Sequence, residues 1–125
     1  MVMNEKNRRN RLVLVVEDEP RILRFLSISL RASGYNIITA IRGDQVIDLV
    51  KSEKPDIIVL DVFLPGADGF EVLKELRTFS QLPVIVMSAR DSLGPEALTL
   101  GATEFMAKPF RPEQLIRKMR NILCE

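Results

Sequence analysis

The chain has 125 residues, a length for one domain, and 46% are hydrophobic, enough for a core and too many for a disordered chain. Lys and Arg number 18 against 17 Asp and Glu, so the net charge of +1 gives no electrostatic case for a nucleic-acid binder. There is no histidine and one cysteine, Cys124, which excludes His-based catalysis, His-ligated metals and an internal disulfide.

The opening "MVMNEKNRRNR" is polar and basic, and predicts a flexible lead over residues 1–11 before a folded domain at 12–125. "LVLVV" (Leu12 to Val16) is continuous, short and β-branched, the pattern of a strand buried on both faces. Five apolar residues are too few for a signal-peptide core or a membrane span, so a cytoplasmic protein is expected. Pro20 suits a first helical turn, Leu23, Leu26 and Leu30 recur at helical spacing, and Gly34 supplies a stop.

"YNIITA" (Tyr35 to Ala40) predicts a second strand, and "GDQVIDLVKSE" a helix that Pro55 ends. "IIVL" (Ile57 to Leu60) is a third strand, followed by a helix from about Gly69 to Phe79. "PVIVM" (Pro83 to Met87) is a fourth strand, and Gly94 to Leu100 leaves room for only a short helix. "TEFMA" (Thr103 to Ala107) is a fifth strand. Pro112 opens a last helix with Leu115, Met119 and Ile122 inward, although Arg111 is a poor N-cap for it. Strand and helix alternate five times, which means a parallel sheet with helices on both faces.

Ligands of such sheets bind beyond the carboxyl ends of the strands. Glu17 and Asp18 follow the first strand, Asp61 the third, Ser88 the fourth and Lys108 the fifth, so all five side chains should converge on one edge. Three carboxylates brought together repel one another, and at least one pKa should rise unless a cation relieves them. Oxygen ligands without Cys or His suit Mg²⁺. Taken singly, either acid has a plain reading as a solvated loop residue or a helix cap, evenly matched for Asp18 and the better one for Glu17.

These motifs stand in a fixed order: "ED" after the first strand, "DVFLPGADG" after the third, "SA" after the fourth and "GATEFMAKPF" across the fifth. From about Leu12 to Leu123 the chain thereby resembles the receiver domain of bacterial two-component response regulators. The resemblance implies a flavodoxin-like, doubly wound sheet of order 2-1-3-4-5 with five helices; the chain departs from common relatives in being about two residues shorter between Ala89 and Gly101, so its fourth helix should be short or partly unwound. It implies Asp61 as phosphoacceptor, and Glu17, Asp18, Asp61 and the backbone carbonyl of Phe63 as holders of Mg²⁺. Lys108 would contact the phosphoryl group, with Ser88 and Phe105 as the switch pair. Phe105 read without the resemblance is a static core aromatic. Many relatives have Tyr there, whose hydroxyl this chain lacks.

The implied partners are a sensor histidine kinase, a downstream output domain or protein, and a second copy in a phosphorylation-dependent homodimer. Direct nucleic-acid and membrane contacts are not expected. The chain would be a signalling module rather than an enzyme acting on a separate metabolite. A phosphorylation-independent interaction module is the alternative, favoured by an incomplete pocket. A dehalogenase-type phosphohydrolase would want a second Asp at position 63, where Phe63 stands. Dinucleotide, P-loop and nucleophile-elbow motifs are missing.

Overall fold

The computed structural model describes residues 11–125. The predicted lead therefore lies outside the described residues except for Arg11, whose guanidinium pairs with Glu125 at 3.3 Å and Asp56 at 3.9 Å.

Five strands, β1 (Leu12–Val16), β2 (Asn36–Ala40), β3 (Ile57–Asp61), β4 (Val84–Ser88) and β5 (Glu104–Ala107), form one sheet of order β2-β1-β3-β4-β5. Every pairing is parallel. The helices are α1 (Pro20–Ala32), α2 (Val46–Glu53), α3 (Gly69–Arg77), α4 (Gly94–Thr99) and α5 (Pro112–Leu123). This is the flavodoxin-like topology that the sequence implies, including the short fourth helix.

Alternate residues of each central strand feed two separate cores. Leu14, Val16, Ile58, Leu60, Val84 and Val86 pack with α2, α3 and α4, including Val46, Leu73 and Ala97. Val13, Val15, Ile57, Val59, Ile85 and Met87 pack with α1 and α5 through Leu26, Leu30, Leu115 and Met119. A strand covered on both faces has no polar side to show, which is why β3 reads as an unbroken apolar run. Each fully buried Leu or Ile contributes about 1.5–3 kcal/mol by leaving water.

Three element ends are set by contacts that the sequence does not show. The segment predicted as one helix from Gly43 starts as a 3₁₀ turn, Gly43–Gln45, and becomes α-helical only at Val46. Gln45 reaches back to accept the N–H groups of Ile41 and Arg42, both at 3.2 Å, while the Gly43 N–H donates to the Pro65 carbonyl at 3.0 Å. The helix stops before Pro55 because Lys54 turns into the left-handed region, with φ of 50°. Arg111 supplies no cap with its side chain, but Gln114 accepts its backbone N–H at 2.9 Å, so the third helical residue does the capping. Among the described residues no helix is long and apolar enough to cross a membrane.

Candidate functional site

The sheet changes direction between β1 and β3, because β2 lies on one side of β1 and all later strands on the other. A crevice opens beyond the carboxyl ends of the strands at such a point. Glu17 and Asp18 leave β1 into this crevice, and Asp61 is the last residue of β3. One carboxylate oxygen from each of Glu17, Asp18 and Asp61 lies within 4.8 Å of the other two. Lys108, just past β5, reaches in from the far side, 2.6 Å from Glu17 and 3.3 Å from Asp61. Its backbone N–H donates to the Ser88 carbonyl at 2.8 Å, which pins it to the end of β4.

The helix cap of α1 is Glu19, whose carboxylate accepts the Ile22 N–H at 2.9 Å. That settles the two uses open to Asp18, which is exposed and belongs to the carboxylate cluster. The sequence reading weighs only Glu17 and Asp18 as caps and passes over Glu19, which stands directly before the Pro20 that opens the helix. Its own N–H donates to Glu17 at 3.1 Å and steadies that buried carboxylate.

Glu17 is 1% exposed and Asp61 6%. Burial first, and the charge of Glu17 second, push the Asp61 carboxyl up to about 6, against the pull of Lys108. Burial alone would lower the Lys108 ammonium, but its hydrogen bond to Glu17 and the charge of Asp61 outweigh that, and its pKa is raised. At neutral pH three carboxylates and one ammonium leave a surplus of two negative charges. An all-oxygen donor set with that surplus fits a hard divalent cation.

Ser88 closes β4 and is fully buried, and its hydroxyl oxygen accepts the Arg90 N–H at 3.1 Å. The Lys108–Pro109 peptide bond is cis. Phe63 turns its ring outward, 53% exposed, with the Arg90 guanidinium 5.7 Å from the ring centroid. No local pattern signals that contact, because it joins two loops 27 positions apart in sequence. Phe105 lies on β5, half-buried against the α2–α4 core. Its ring edge lies 3.1 Å from where a side chain on Gly94 would begin.

A family model of the response regulator receiver domain matches residues 13–120. The chain belongs to this family. The receiver is 41% identical over 117 residues to the alkaline phosphatase synthesis transcriptional regulatory protein PhoP of Bacillus subtilis, covering 91% of this chain and 49% of that one. It thus spans about half the length of that curated relative. Among solved structures, the receiver domain of a Francisella response regulator superposes with a TM-score of 0.86 at 33% identity, covering 91% of this chain and 96% of that one. The receiver domain of a sensor histidine kinase from Pseudomonas aeruginosa PAO1 superposes with a TM-score of 0.85 at 26% identity, over 93% of this chain and 99% of that one. That relative was solved with a magnesium ion coordinated in its active-site cleft.

The receiver holds Asp61 in place partly through Gly69. A side chain there would collide with the Asp61 carbonyl oxygen and meet Val62 Cα at 2.9 Å, and the Gly69 N–H donates to the Val62 carbonyl at 2.7 Å. Both obstacles are backbone and cannot swing away. Gly69→Ala is therefore expected to destabilise the fold by about 1–3 kcal/mol, measured by urea unfolding. An unchanged midpoint would show that the loop after β3 yields freely.

Proposed function

We propose that Asp61 accepts a phosphoryl group from a phosphohistidine of a partner kinase, or from a small phosphodonor, with Mg²⁺ as cofactor. The observation that carries this reading is the carboxylate cluster at the sheet's switch point, bridged by Lys108 between Glu17 and Asp61. Glu17, Asp18, Asp61 and the Phe63 carbonyl would hold the ion. When bound, Mg²⁺ neutralises charge on the transferring phosphoryl oxygens.

An Asp61 carboxylate oxygen attacks phosphorus, so a P–O bond forms. The P–N bond to the donor imidazole breaks, and its electron pair stays on the ring nitrogen. Transfer of this kind depends on in-line placement and charge compensation. Lys108 supplies compensation as a compact charge on a flexible stem, able to leave Glu17 and follow the phosphoryl oxygens. Ser88 then donates its hydroxyl to a phosphoryl oxygen, and Phe105 moves inward by packing alone. The face of α4, β5 and α5 changes with it and is read by an output domain, an output protein or a second copy. The receiver assists its own phosphorylation and later hydrolysis and acts on no separate metabolite. A cytoplasmic location is consistent with its single cysteine. Because every charged member of the pocket is present, the phosphorylation-independent reading ranks below this one.

Incubation with acetyl phosphate and Mg²⁺, followed by intact mass, tests the proposal. One phosphoryl group should be gained and then lost to hydroxylamine, as an acyl phosphate is. A mass that does not change, or a hydroxylamine-stable adduct, removes the reading.

Beside Lys108 a largely apolar cleft of about 400 Å³ runs between α1 and the loop after β5, lined by Arg21, Ile22, Phe25, Pro109 and Phe110. Phe25 is 57% exposed there. Such a cleft supports a protein donor. Phe25→Asp should slow phosphorylation by the kinase about tenfold or more and leave the acetyl phosphate rate unchanged. Equal loss with both donors would place the defect in the pocket instead.

A further inference from the structure

We propose that the loop joining β2 to α2, through Arg42, Gly43 and Asp44, is a brace that fixes the spacing of the ion-holding groups and raises the pocket's selectivity for Mg²⁺ over the larger Ca²⁺. The inference rests on Glu17, Asp18, Asp61 and the Phe63 carbonyl being the groups that hold the ion.

β1 stands between β2 and β3 in the sheet, so a loop that leaves β2 and touches the loop after β3 must span the end of β1. This loop does so, and it is tied on both sides. Where it leaves β2, the Ala40 carbonyl accepts the Glu17 N–H at 3.1 Å. On the other side, the Gly43 N–H donates to the Pro65 carbonyl at 3.0 Å. A Cβ on Gly43 would collide with the Ala67 carbonyl oxygen, so the two backbones are in direct contact. The Asp44 carboxylate lies against Gly66, where a Cβ would come within 2.6 Å of it. Arg42 holds that carboxylate in place with two bonds of 3.0 Å each.

The loop after Asp61 is thus supported at its ends and in its middle. The ends meet at Val62, whose N–H donates to the Met87 carbonyl at 3.2 Å and whose carbonyl accepts the Gly69 N–H at 2.7 Å. The middle, Pro65 to Ala67, rests on Gly43 and Asp44. Phe63 lies between these supports. One brace therefore touches the backbone of Glu17 on one side and the chain that carries Phe63 on the other. Asp44 is not a member of the carboxylate cluster, so it acts on a bound ion through loop position or through long-range charge.

Those two routes have different signatures. Mg²⁺ demands near-ideal octahedral oxygens at about 2.0–2.1 Å, whereas Ca²⁺ accepts oxygens at about 2.3–2.6 Å in flexible geometry. Slack in the site costs Mg²⁺ much and Ca²⁺ little. A distant charge acts alike on both ions, because both carry the same charge. The ratio of the two affinities reads the brace apart from electrostatics.

Mg²⁺ and Ca²⁺ affinities are measured by isothermal titration on wild type, Arg42→Ala, Asp44→Ala and Gly43→Ala, each checked for folding by urea unfolding in EDTA. Arg42→Ala and Asp44→Ala should each lower the Mg²⁺ affinity relative to that for Ca²⁺ by about threefold to tenfold, the low end of the loss when an outer support of a metal site is removed. They change the net charge in opposite directions. Charge alone would weaken both ions in Asp44→Ala, strengthen both in Arg42→Ala, and leave each ratio where it was. Gly43→Ala strikes backbone and should lower the ratio by about tenfold or more; should it fail to fold, the two side-chain variants decide.

A ratio unchanged in either Arg42→Ala or Asp44→Ala overturns the proposal, and so does a ratio that moves in opposite directions in the two. If wild type binds neither ion, the Mg²⁺ reading of the pocket falls and this inference with it. Wild-type binding of Mg²⁺ with unchanged ratios in the variants overturns only the brace.

Discussion

Asp61→Asn is expected to abolish phosphorylation by any donor and, in metal-free buffer, to make the domain more stable. The first effect follows from replacing the attacking carboxylate by an amide, whose oxygen is a poor nucleophile. Intact mass with acetyl phosphate and Mg²⁺ should show no adduct. An adduct on the variant would mean that another side chain is the acceptor.

The second effect follows from the raised pKa. Burial and Glu17 push the Asp61 carboxyl up to about 6, above its unfolded value. Below the unfolded pKa, Asp61 is protonated in both states and exacts no penalty. Between that value and about 6 the unfolded chain ionises while the folded one resists. Above about 6 the full penalty of the buried charge is present. The asparagine variant escapes it and should be more stable by about 1–3 kcal/mol at neutral pH. The advantage should fade as pH falls through about 6 toward 4. Urea unfolding in EDTA across that range measures it. A difference that ignores pH would show that ionised Asp61 is not strained in the fold.

Lys108→Ala should act in the opposite sense on stability. Glu17 at 1% exposure and Asp61 at 6% would lose the ammonium that both contact. Removing one partner of a buried charge set costs about 3–5 kcal/mol, because the remaining charges cannot be rehydrated. Urea unfolding without metal should show this loss, and added Mg²⁺ should recover part of it by replacing the missing positive charge. Phosphorylation by acetyl phosphate should slow by about 10²–10³ even at saturating Mg²⁺, the usual loss when a preorganised charge-stabilising group is deleted. Full recovery of rate by Mg²⁺ would show that Lys108 holds the empty pocket together and takes no part in transfer.

Much of this molecule is written in short stretches of the chain. "IIVLD" names its own strand, because burial on both faces demands an unbroken apolar run, and Asp61 ends it at the edge where such sheets bind ligands. Pro20 and Pro112 mark helix starts for a reason local to one turn, the amide hydrogen that a first-turn residue does not need. Periodicity and turn chemistry reach only a few residues, so they set element type and order and leave the ends loose. They could not show that Gln45 delays α2, or that Glu19 rather than Asp18 caps α1.

The convergence of these charges on one sheet edge follows from the strand order, but only the tertiary structure decided which of them touch and how closely. Lys108 and Glu17 are 91 positions apart, and their 2.6 Å contact exists only because β1 and β5 end on the same edge of the sheet. That the expected pKa rise falls on Asp61, and that Arg90 sits on Phe63, have the same origin. Desolvation and charge–charge energies depend on distance through folded space, which no local pattern in the chain encodes.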